Sequence, residues 1–292
     1  MQQNLPKISV VTPSFNQGEF LEKTINSVLS QNYPNLEYII IDGGSSDSSV
    51  EIIKKYEKHL SYWVSEKDGG QSQAINKGMA KSTGKILTWL NSDDWYLPGT
   101  LHRFAELFQQ NPNHGMLVGT GRMVDETGKE TYYKVPDSEI NLHRLYQWLN
   151  GADFMQPSSA FSRKAWELSG PIDESIHISL DVDLWLRMAK KGIKFLTVDE
   201  LFSEALSHQN AKTTAFQNLM ILDCSMVIAQ HGGKEYVEKQ MINMVNKFSW
   251  YEKNYQAIIS NPILKLLRPI IKLLAKNDHQ YWSEVIPPWV KK

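Results

Sequence analysis

The N-terminal third of the chain alternates between short apolar runs and segments with apolar side chains at helical spacing. The apolar runs predict strands at residues 8–12, 37–42, 61–66 and 85–90. Three amphipathic segments lie between them, and Ser48 and Glu51 have the capping-box spacing that would begin the second of these helices. Such alternation is typical of βαβ units in a mostly parallel sheet, where ligands bind outside the carboxyl ends of the strands.

The pattern changes in the second half of the chain. Two strand-like runs flank Asp125–Gly128 and predict a β-hairpin, and residues 156–170 predict a strand and a short helix. Residues 180–192 predict a further helix, which Gly192 ends. Beyond about residue 213 the pattern is mostly helical. We therefore expect an α/β domain over residues 1–210 and a helical C-terminal extension over residues 211–292.

Composition narrows the class of protein. The 292 residues are 41% hydrophobic, enough for one large α/β domain with an appendage, and the net charge of −1 gives no reason to expect a nucleic-acid partner. A single cysteine, Cys224, excludes a disulfide within the chain and fits a reducing compartment. The N-terminus lacks a signal-peptide core, and no apolar run is long enough to span a membrane. We expect a cytoplasmic protein.

Acidic residues follow several of the predicted strands. Asp42, Asp68 and the pair Asp93-Asp94 each stand near a strand end. Adjacent carboxylates repel each other and need a cation or hydrogen-bond donors, and a hard divalent ion suits oxygen ligands. No P-loop or G-x-G-x-x-G motif is present, so any phosphate binding would depend on a metal. The alternative is ordinary turn or helix-cap chemistry, which is the commonest role of an isolated Asp-Asp in a loop and also suits Asp42 before two glycines.

Three segments carry a resemblance to a known family. Residues 10–49, residues 65–101 with "NSDD", and residues 180–192 with "LDVDLWLR" together resemble glycosyltransferase family 2 of the bacterial surface-polysaccharide type. The resemblance runs from about Ile8 to His208. It implies the GT-A fold, in which a mostly parallel sheet is flanked by helices, and it makes residues 1–210 the nucleotide-sugar-binding and catalytic domain.

The resemblance also implies a site for the sugar donor. In the family, the end of the first strand wraps the nucleotide, an Asp bonds the base, and a second Asp lies near the ribose and diphosphate. The donor-binding residues carried over are Thr12, Pro13, Ser14, Asn16, Asp42, Asp68, Gln71 and Asp93. Asn76 is a further neighbour of this site. For Gln71 and Asn76 the alternative is a solvated helix surface.

The family's metal-binding region falls on "NSDD". Asp94 is the expected ligand of Mn²⁺ or Mg²⁺, with Asp93 as a metal or ribose contact and His208 facing the metal or diphosphate. Asn91 stands where many members carry an Asp, and its amide oxygen is a weaker ligand, so metal affinity could be lower. For His208 the alternative is an ordinary packed or surface histidine.

The acceptor side and the general base come from later residues. Asp181 matches the family's base, although Leu180 replaces the Glu that often precedes it; the alternative for Asp181 is a helix cap. Asp183 is expected to point elsewhere, as an acid in the first turn of the helix. Gln156 and Trp95 are acceptor-side candidates, and Trp95 could instead be a core or lid aromatic residue.

These roles together predict an inverting, metal-dependent glycosyltransferase in polysaccharide biosynthesis. Its donor would be a UDP-, GDP- or dTDP-linked sugar, and its acceptor a glycan or lipid-linked hydroxyl. Two alternatives stay open. A nucleotidyltransferase would need a basic glycine-rich loop that "TPSFNQGEF" lacks. A catalytically inactive nucleotide- or glycan-binding module would agree with the departures at Asn91 and Leu180.

The C-terminal extension contains one further signal. Residues 261–277 have apolar side chains at helical spacing, and their only charges are Lys265, Arg268, Lys272 and Lys276. A basic amphipathic helix is typical of contact with a membrane surface. The family resemblance implies lipid-linked acceptors and would make that surface the cytoplasmic face of the inner membrane. The alternative is a helix that packs on the catalytic domain.

Overall fold

The computed structural model describes residues 5–151, 154–208, 211 and 217–260. The strands are Ile8–Ser14 (β1), Leu36–Asp42 (β2), Tyr62–Ser65 (β3), Ile86–Trp89 (β4), Asp94–Tyr96 (β5), Met116–Asp125 (β6), Glu130–Tyr133 (β7), Ser159–Ser162 (β8) and Phe195–Ser207 (β9). The helices are Gly18–Leu29 (α1), Ser49–Tyr56 (α2), Gln71–Lys81 (α3), Thr100–Gln110 (α4), Leu142–Leu145 (α5), Arg163–Ser169 (α6), Leu180–Lys190 (α7), Gln217–Ile228 (α8) and Lys234–Ser260 (α9). Short 3-10 turns lie at Glu57–His59, Trp148–Asn150 and Gln156–Ser158, and a π-helical turn at Ala229–Gly233 joins the last two helices.

One mixed sheet organises these elements. Its strands run in the order β3-β2-β1-β4-β8-β6-β9-β5, and β7 pairs with β6 outside that path. The first four strands of this order are mutually parallel, so their carboxyl ends lie at one edge. Strands β5, β7 and β8 run antiparallel to their neighbours, and β6 with β7 forms the expected hairpin. The predicted α/β class is confirmed.

The sheet separates two hydrophobic layers. In β2, Tyr38 and Ile40 pack on one side with α1 and α4, while Ile39 and Ile41 pack on the other side with α3 and α7. A strand covered on both faces has no polar side, because alternate side chains enter opposite layers. This explains why residues 38–41 form an unbroken apolar run, and it places Asp42, which follows that run, at the sheet edge.

The predicted capping box is not formed. Ser48 has a helical backbone conformation (φ −71°, ψ −1°), and its side chain makes no capping bond. Asp47 takes that role, since its carboxylate accepts hydrogen bonds from the backbone N–H of Ser49 (3.0 Å) and of Gly18 (2.8 Å). A side chain at Gly18 would meet Ser48 Oγ at 2.3 Å, so the glycine allows α1 and α2 to begin side by side.

Contacts group residues Met1–Val237 into one compact unit and residues Glu238–Lys292 into a second. Cys224, Val227 and Ile228 of α8 belong to the buried cluster on the α3 and α7 side of the sheet. The structure therefore packs part of the predicted extension into the first unit, while the functional boundary at residue 210 stays a prediction. Residues 261–277, the predicted basic amphipathic helix, lie outside the described residues. Within the described part of the chain, no helix combines the length and apolarity needed to cross a membrane.

Candidate active site

The carboxyl edge of the parallel strands gathers the predicted site. Ser14 and Asp42 are register partners at the ends of β1 and β2, and β4 beside them leads directly into Asn91–Asp94. Thr24 of α1 fixes this last loop, because its hydroxyl bonds the carbonyls of Ser92 (2.9 Å) and Asp94 (2.7 Å). Topology thus brings together polar residues that are far apart in the sequence.

Asp94 is a buried carboxyl group in an unfavourable environment. Its exposed fraction is 6%, and its Oδ2 accepts a hydrogen bond from Asn91 Nδ2 at 3.1 Å. Burial raises the pKa of Asp94 well above its ordinary value, and the neighbouring charge of Asp93 raises it further. A bound cation would remove both penalties, so this is the place in the loop where a positive ligand would stabilise the fold.

Asn91 is held in a chain of side-chain hydrogen bonds. Gln71 Nε2 at the start of α3 donates to Asn91 Oδ1 (2.7 Å), and Asn91 Nδ2 donates onward to Asp94. The amide oxygen of Asn91 therefore faces Gln71 and its N–H faces the carboxylate. Gln71 lies at the site rather than on a solvated helix surface.

His208, directly after β9, contacts Asp93 of the aspartate pair. Its Nε2 lies 3.3 Å from Asp93 Oδ2, its exposed fraction is 7%, and its ring packs on Phe20 with centroids 4.6 Å apart. The antiparallel pairing of β5 with β9 sets this contact, since Asp94 is the register partner of Ala205. His208 is thus a packed histidine that also contacts the predicted metal-binding pair.

The donor atoms suit a hard divalent ion in their chemistry. Asp93 and Asp94 offer carboxylate oxygens, and His208 offers an imidazole nitrogen; burial and the charge of Asp93 raise the pKa of Asp94. Among the described residues, no three His, Cys, Asp or Glu side chains stand together as a ready-made metal site. The residues fit a metal that would be shared with a ligand better than one held by protein atoms alone.

The last residues of β1 are all buried, but their hydrogen bonding differs. Thr12 is fully buried with its hydroxyl 3.1 Å from that of Tyr38, and Pro13 is buried beside it. Ser14 is 5% exposed, and its Oγ has no hydrogen-bond partner among the described residues. A buried hydroxyl without a partner costs stability, which a ligand atom could recover.

Asn16 shapes the loop that follows. Its backbone is left-handed (φ 52°), its N–H donates to Ser45 Oγ (2.8 Å), and its Oδ1 accepts from the N–H of Ser46 (2.9 Å). The exposed Asn16 side chain therefore ties the loop after β1 to the loop after β2. Its role in donor binding stays a prediction.

Asp42 has the turn chemistry that the sequence left open. It is fully buried, and its carboxylate accepts bonds from the N–H of Gly44 (3.1 Å) and of Ser45 (2.9 Å). The hydroxyls of Ser45 (2.5 Å) and Ser65 (2.6 Å) also donate to it. Asp42 thus organises the loop at the strand edge, and its contact with a base stays a prediction.

Asp68 lies against that same loop. Its Oδ1 accepts from the N–H of Gly70 (2.8 Å), and a Cβ on Gly43 would stand only 3.0 Å from the same oxygen. The absence of a side chain at Gly43 lets the two strand ends approach. The half-buried Asp68 thus lies beside the Asp42 turn, and its contact with the ribose or diphosphate stays a prediction.

The two acceptor-side candidates have different surroundings. Gln156 is 8% exposed; its Nε2 donates to the carbonyl of Trp89 (2.9 Å), and its Oε1 has no partner among the described residues. Trp95 is also 8% exposed, and the ammonium of Lys23 stands 3.2 Å from its ring centroid. Gln156 thus has a free hydrogen-bonding atom, whereas Trp95 is a covered aromatic residue, the alternative that the sequence left open.

Asp181 stands in the first turn of α7, and the N-cap position is Ser179. Asp181 is half-buried, and its Oδ1 accepts a hydrogen bond from the N–H of Val182 at 2.8 Å. Burial, with a contribution from the Asp181 charge, raises the pKa of the Cys224 thiol to about 12, so α8 lies close to this carboxylate. Asp223 of α8 also accepts from the N–H of Ser179 (2.8 Å).

Asp183 faces a different environment from Asp181, as expected from its helical position. Its carboxylate bonds Arg187 Nε (2.9 Å) and His231 Nε2 (2.8 Å). Burial alone would raise its pKa, but the bond to His231 and the charge of Arg187 hold the pKa of Asp183 below its ordinary value. The sequence reasoning missed both His231 and Asp223, because no local pattern links α8 and the following turn to α7.

Comparison with known proteins agrees with this geometry. The family model described as Glycosyl transferase family 2 matches residues 9–168, which is more than half of the chain. An uncharacterised glycosyltransferase of Rickettsia typhi is 25% identical over 230 residues, covering 75% of this chain and 70% of the relative. The putative teichuronic acid biosynthesis glycosyltransferase TuaG of Bacillus subtilis is 28% identical over 206 residues, covering 68% of this chain and 78% of the relative.

Solved structures share the fold. A mannosyltransferase from Pyrobaculum calidifontis, in complex with GDP-Man and Mn²⁺, has a TM-score of 0.65 at 16% identity and covers 97% of this chain and 84% of that one. TarS 1–349 of S. aureus in complex with UDP-GlcNAc has a TM-score of 0.54 at 17% identity, covering 77% and 71%.

The fold comparison confirms the GT-A-like arrangement of a curled mixed sheet, flanking helices and a helical C-terminal segment. The family match includes the loops after β1, β2 and β4, whereas Asp181 and His208 lie beyond it. On these grounds the chain is a glycosyltransferase and belongs to glycosyl transferase family 2.

Proposed function

We propose that this glycosyltransferase is metal-dependent and inverts the anomeric centre of a nucleotide-sugar donor. The observation that carries the proposal is Asp94, a buried carboxylate beside Asp93 at the carboxyl edge of the sheet, whose pKa is raised by its burial and by the charge of Asp93. Asp94 and Asp93 would hold the divalent ion, which would neutralise charge on the diphosphate.

The reaction itself is a single displacement. The acceptor hydroxyl oxygen forms a bond to the anomeric carbon while the bond from that carbon to the diphosphate oxygen breaks. The electron pair of the broken bond stays on the nucleoside diphosphate, and Asp181 accepts the proton of the hydroxyl. One displacement from the opposite face inverts the configuration, and no covalent intermediate with the protein forms.

Two buried polar atoms support a ligand at this edge. Ser14 Oγ and Gln156 Oε1 lack partners among the described residues, and they belong to elements on either side of β4. A donor or acceptor sugar brings several hydroxyl groups that could satisfy both atoms. The solved relatives bind UDP-GlcNAc and GDP-Man, so a UDP-, GDP- or dTDP-linked sugar is the proposed donor class.

The acceptor is proposed to be a glycan or a lipid-linked glycan in polysaccharide biosynthesis. The support is the similarity to TuaG, whose name places it in teichuronic acid biosynthesis. A lipid-linked acceptor would place the enzyme at the cytoplasmic face of the membrane, and the basic sequence of residues 261–277 suits that surface.

Calorimetric titration of the full chain with UDP, GDP and dTDP, with and without Mn²⁺, tests the donor site. We expect one nucleotide to bind, and to bind more tightly with Mn²⁺. The variant Asp181→Asn should retain this binding and lose turnover. Absence of binding by all three nucleotides would contradict the donor site, and full activity of Asp181→Asn would contradict the assigned base.

A second candidate function rests on Asn91. Its amide oxygen accepts the bond from Gln71, an arrangement that would agree with a family member that binds nucleotide or glycan without catalysis. Such a module would bind nucleotide and glycan but form no product with any donor. Product formation from a radiolabelled donor, measured at long incubation times, distinguishes the two functions.

A further inference from the structure

Helix α3 carries two polar side chains, one turn apart, that bond a segment about 100 residues later in the chain. Asn76 Nδ2 donates to the carbonyl of Ile172 (2.9 Å), and the N–H of Ile172 donates back to Asn76 Oδ1 (2.9 Å). One turn earlier, the buried hydroxyl of Ser72 donates to the carbonyl of Ile176 (3.0 Å). Both side chains thus bond the backbone of residues 172–176, the segment that leads to α7.

The two bonds between Asn76 and Ile172 fix the direction of the backbone as well as its position. A side-chain amide that both donates to and accepts from one residue leaves that residue little freedom to rotate or slide. The side chains of Ile172 and Ile176 pack in the same buried cluster as Ala74 and Ile75 of α3. Hydrogen bonds and apolar packing therefore hold this segment on the helix.

These contacts engage both polar atoms of the Asn76 side chain. Both N–H groups of its amide are occupied, one by the carbonyl of Ile172 and the other by Glu174 Oε1 at 3.0 Å. Its oxygen accepts from Ile172. Asn76 is thus bonded to residues 172–174, and its place beside the donor site stays a prediction.

The N-terminal end of the same helix reaches the aspartate pair. Gln71, the first residue of α3, donates to Asn91, which in turn donates to Asp94. A single helix of 11 residues is therefore bonded at its start to the Asp94 loop and along its side to the segment before Asp181. Helices of this length behave as rigid elements, so displacement at one contact is resisted at the other.

We propose that Asn76 is a positioning residue of the transferase reaction, assisted by Ser72. Through residues 172–176 it holds the start of α7, and with it Asp181, at a fixed distance from Asp93-Asp94. The inference rests on the proposed role of Asp181 as general base. A base displaced by about 1 Å can cost about 100-fold in rate, so this alignment is worth far more to turnover than to stability.

The test uses the full-length enzyme with Asn76→Ala and with the same-sized Asn76→Asp, which places a carboxylate against the Ile172 carbonyl and Glu174. We expect kcat to fall about 10- to 100-fold for both variants, while the calorimetric Kd of the nucleotide with Mn²⁺ changes less than about twofold. The kcat of Ser72→Ala should fall less, because this substitution removes only one hydrogen bond. The matched control is Lys81→Ala, at an exposed position on the same helix, where the ammonium lies 5.2 Å from the ring centroid of Tyr62; its kcat should change less than about twofold.

A double-mutant cycle separates positioning from a purely structural role. If Asn76 acts through Asp181, then Asn76→Ala should change the residual turnover of Asp181→Asn less than about twofold, because the base is already absent. Equal losses in both backgrounds would overturn the proposal, as would loss of nucleotide affinity in parallel with kcat. Normal turnover of Asn76→Ala and Asn76→Asp, together with strongly reduced turnover of Asp181→Asn, would refute the positioning role and leave the proposed function intact. Failure of the wild type to bind nucleotide would instead refute the function itself.

Discussion

Asp94 and Asp183 are both buried, with exposed fractions of 6% and 5%, yet their environments shift their pKa values in opposite directions. At Asp94, burial and the charge of Asp93 raise the pKa, and the hydrogen bond that it receives comes from the neutral amide of Asn91. At Asp183, burial is outweighed by His231 and Arg187, and the pKa falls. The same residue type at the same depth is therefore unsatisfied in one region and neutralised in the other.

The difference separates a binding site from a structural contact. A buried carboxylate that pairs with the guanidinium of Arg187 and bonds the ring of His231 is compensated within the protein, and it joins α7 to the turn after α8. A buried carboxylate beside a second carboxylate has a raised pKa, and a bound cation would favour its ionised form. Burial alone would not have told these residues apart; the charge of their neighbours does.

The largest expected effect comes from Asp94→Asn. We expect turnover to fall at least about 1,000-fold, because the charge that would hold the metal is lost. Without metal the variant should be at least as stable as the wild type, because the amide removes repulsion from Asp93. Turnover assays and urea unfolding of the same preparations measure both quantities. A variant that lost stability and activity together would show that Asp94 is structural.

Asp183→Asn should show the reverse behaviour. Removal of this charge leaves Arg187 half-buried without its partner, so we expect the free energy of unfolding to fall by about 3 kcal/mol. Nucleotide affinity at temperatures where the variant is folded should stay within about twofold. Urea unfolding is the measurement, and Asp137→Asn, at an exposed acid, is the matched control with an expected change of at most about 0.5 kcal/mol.

The contribution of Asp183 should also depend on pH. Its folded-state pKa is lowered, so in the acid range the unfolded chain binds more protons than the native one, and stability falls as pH falls. The difference in unfolding free energy between wild type and Asp183→Asn should be constant from about pH 5 to 6. It should shrink below about pH 4, as the pH passes from the unfolded pKa to the lowered folded pKa. A difference that persisted unchanged at pH 2 would contradict the assignment.

Asn91→Asp gives the smallest expected effect and sharpens the comparison further. The new carboxylate keeps the bond from Gln71 but faces Asp94 as a like charge. We expect Mn²⁺ to bind about tenfold more tightly, and the metal-free protein to lose about 1 kcal/mol of stability. Calorimetry with Mn²⁺ and thermal unfolding with and without the ion measure the two changes. Unchanged affinity would show that position 91 does not face the ion.

Much of the fold could be predicted because its local signals agree with the tertiary structure. The continuous apolar run before Asp42 predicts a strand buried on both faces, and that is what β2 is. The prediction of a capping box at Ser48 is wrong because a neighbouring residue caps the helix instead. Asp47 accepts the bond from Ser49 at the start of α2 and a second bond from Gly18 of α1. The bonds of Asn76 to Ile172 and Glu174 could not be predicted, because helical spacing does not say which distant segment packs on a face.

The sequence by itself determined the α/β class, the strand ends that carry Asp42, Asp68, Asp93 and Asp94, and the family. Local periodicity and short motifs encode these, because they depend on residues close together in the chain. Only the tertiary structure decided that His208 meets Asp93, that His231 and Arg187 neutralise Asp183, and that α3 joins Asp94 to the segment before Asp181. Those outcomes depend on pairings between residues far apart in sequence, and the pKa of a carboxylate is set by whichever charges the fold places beside it.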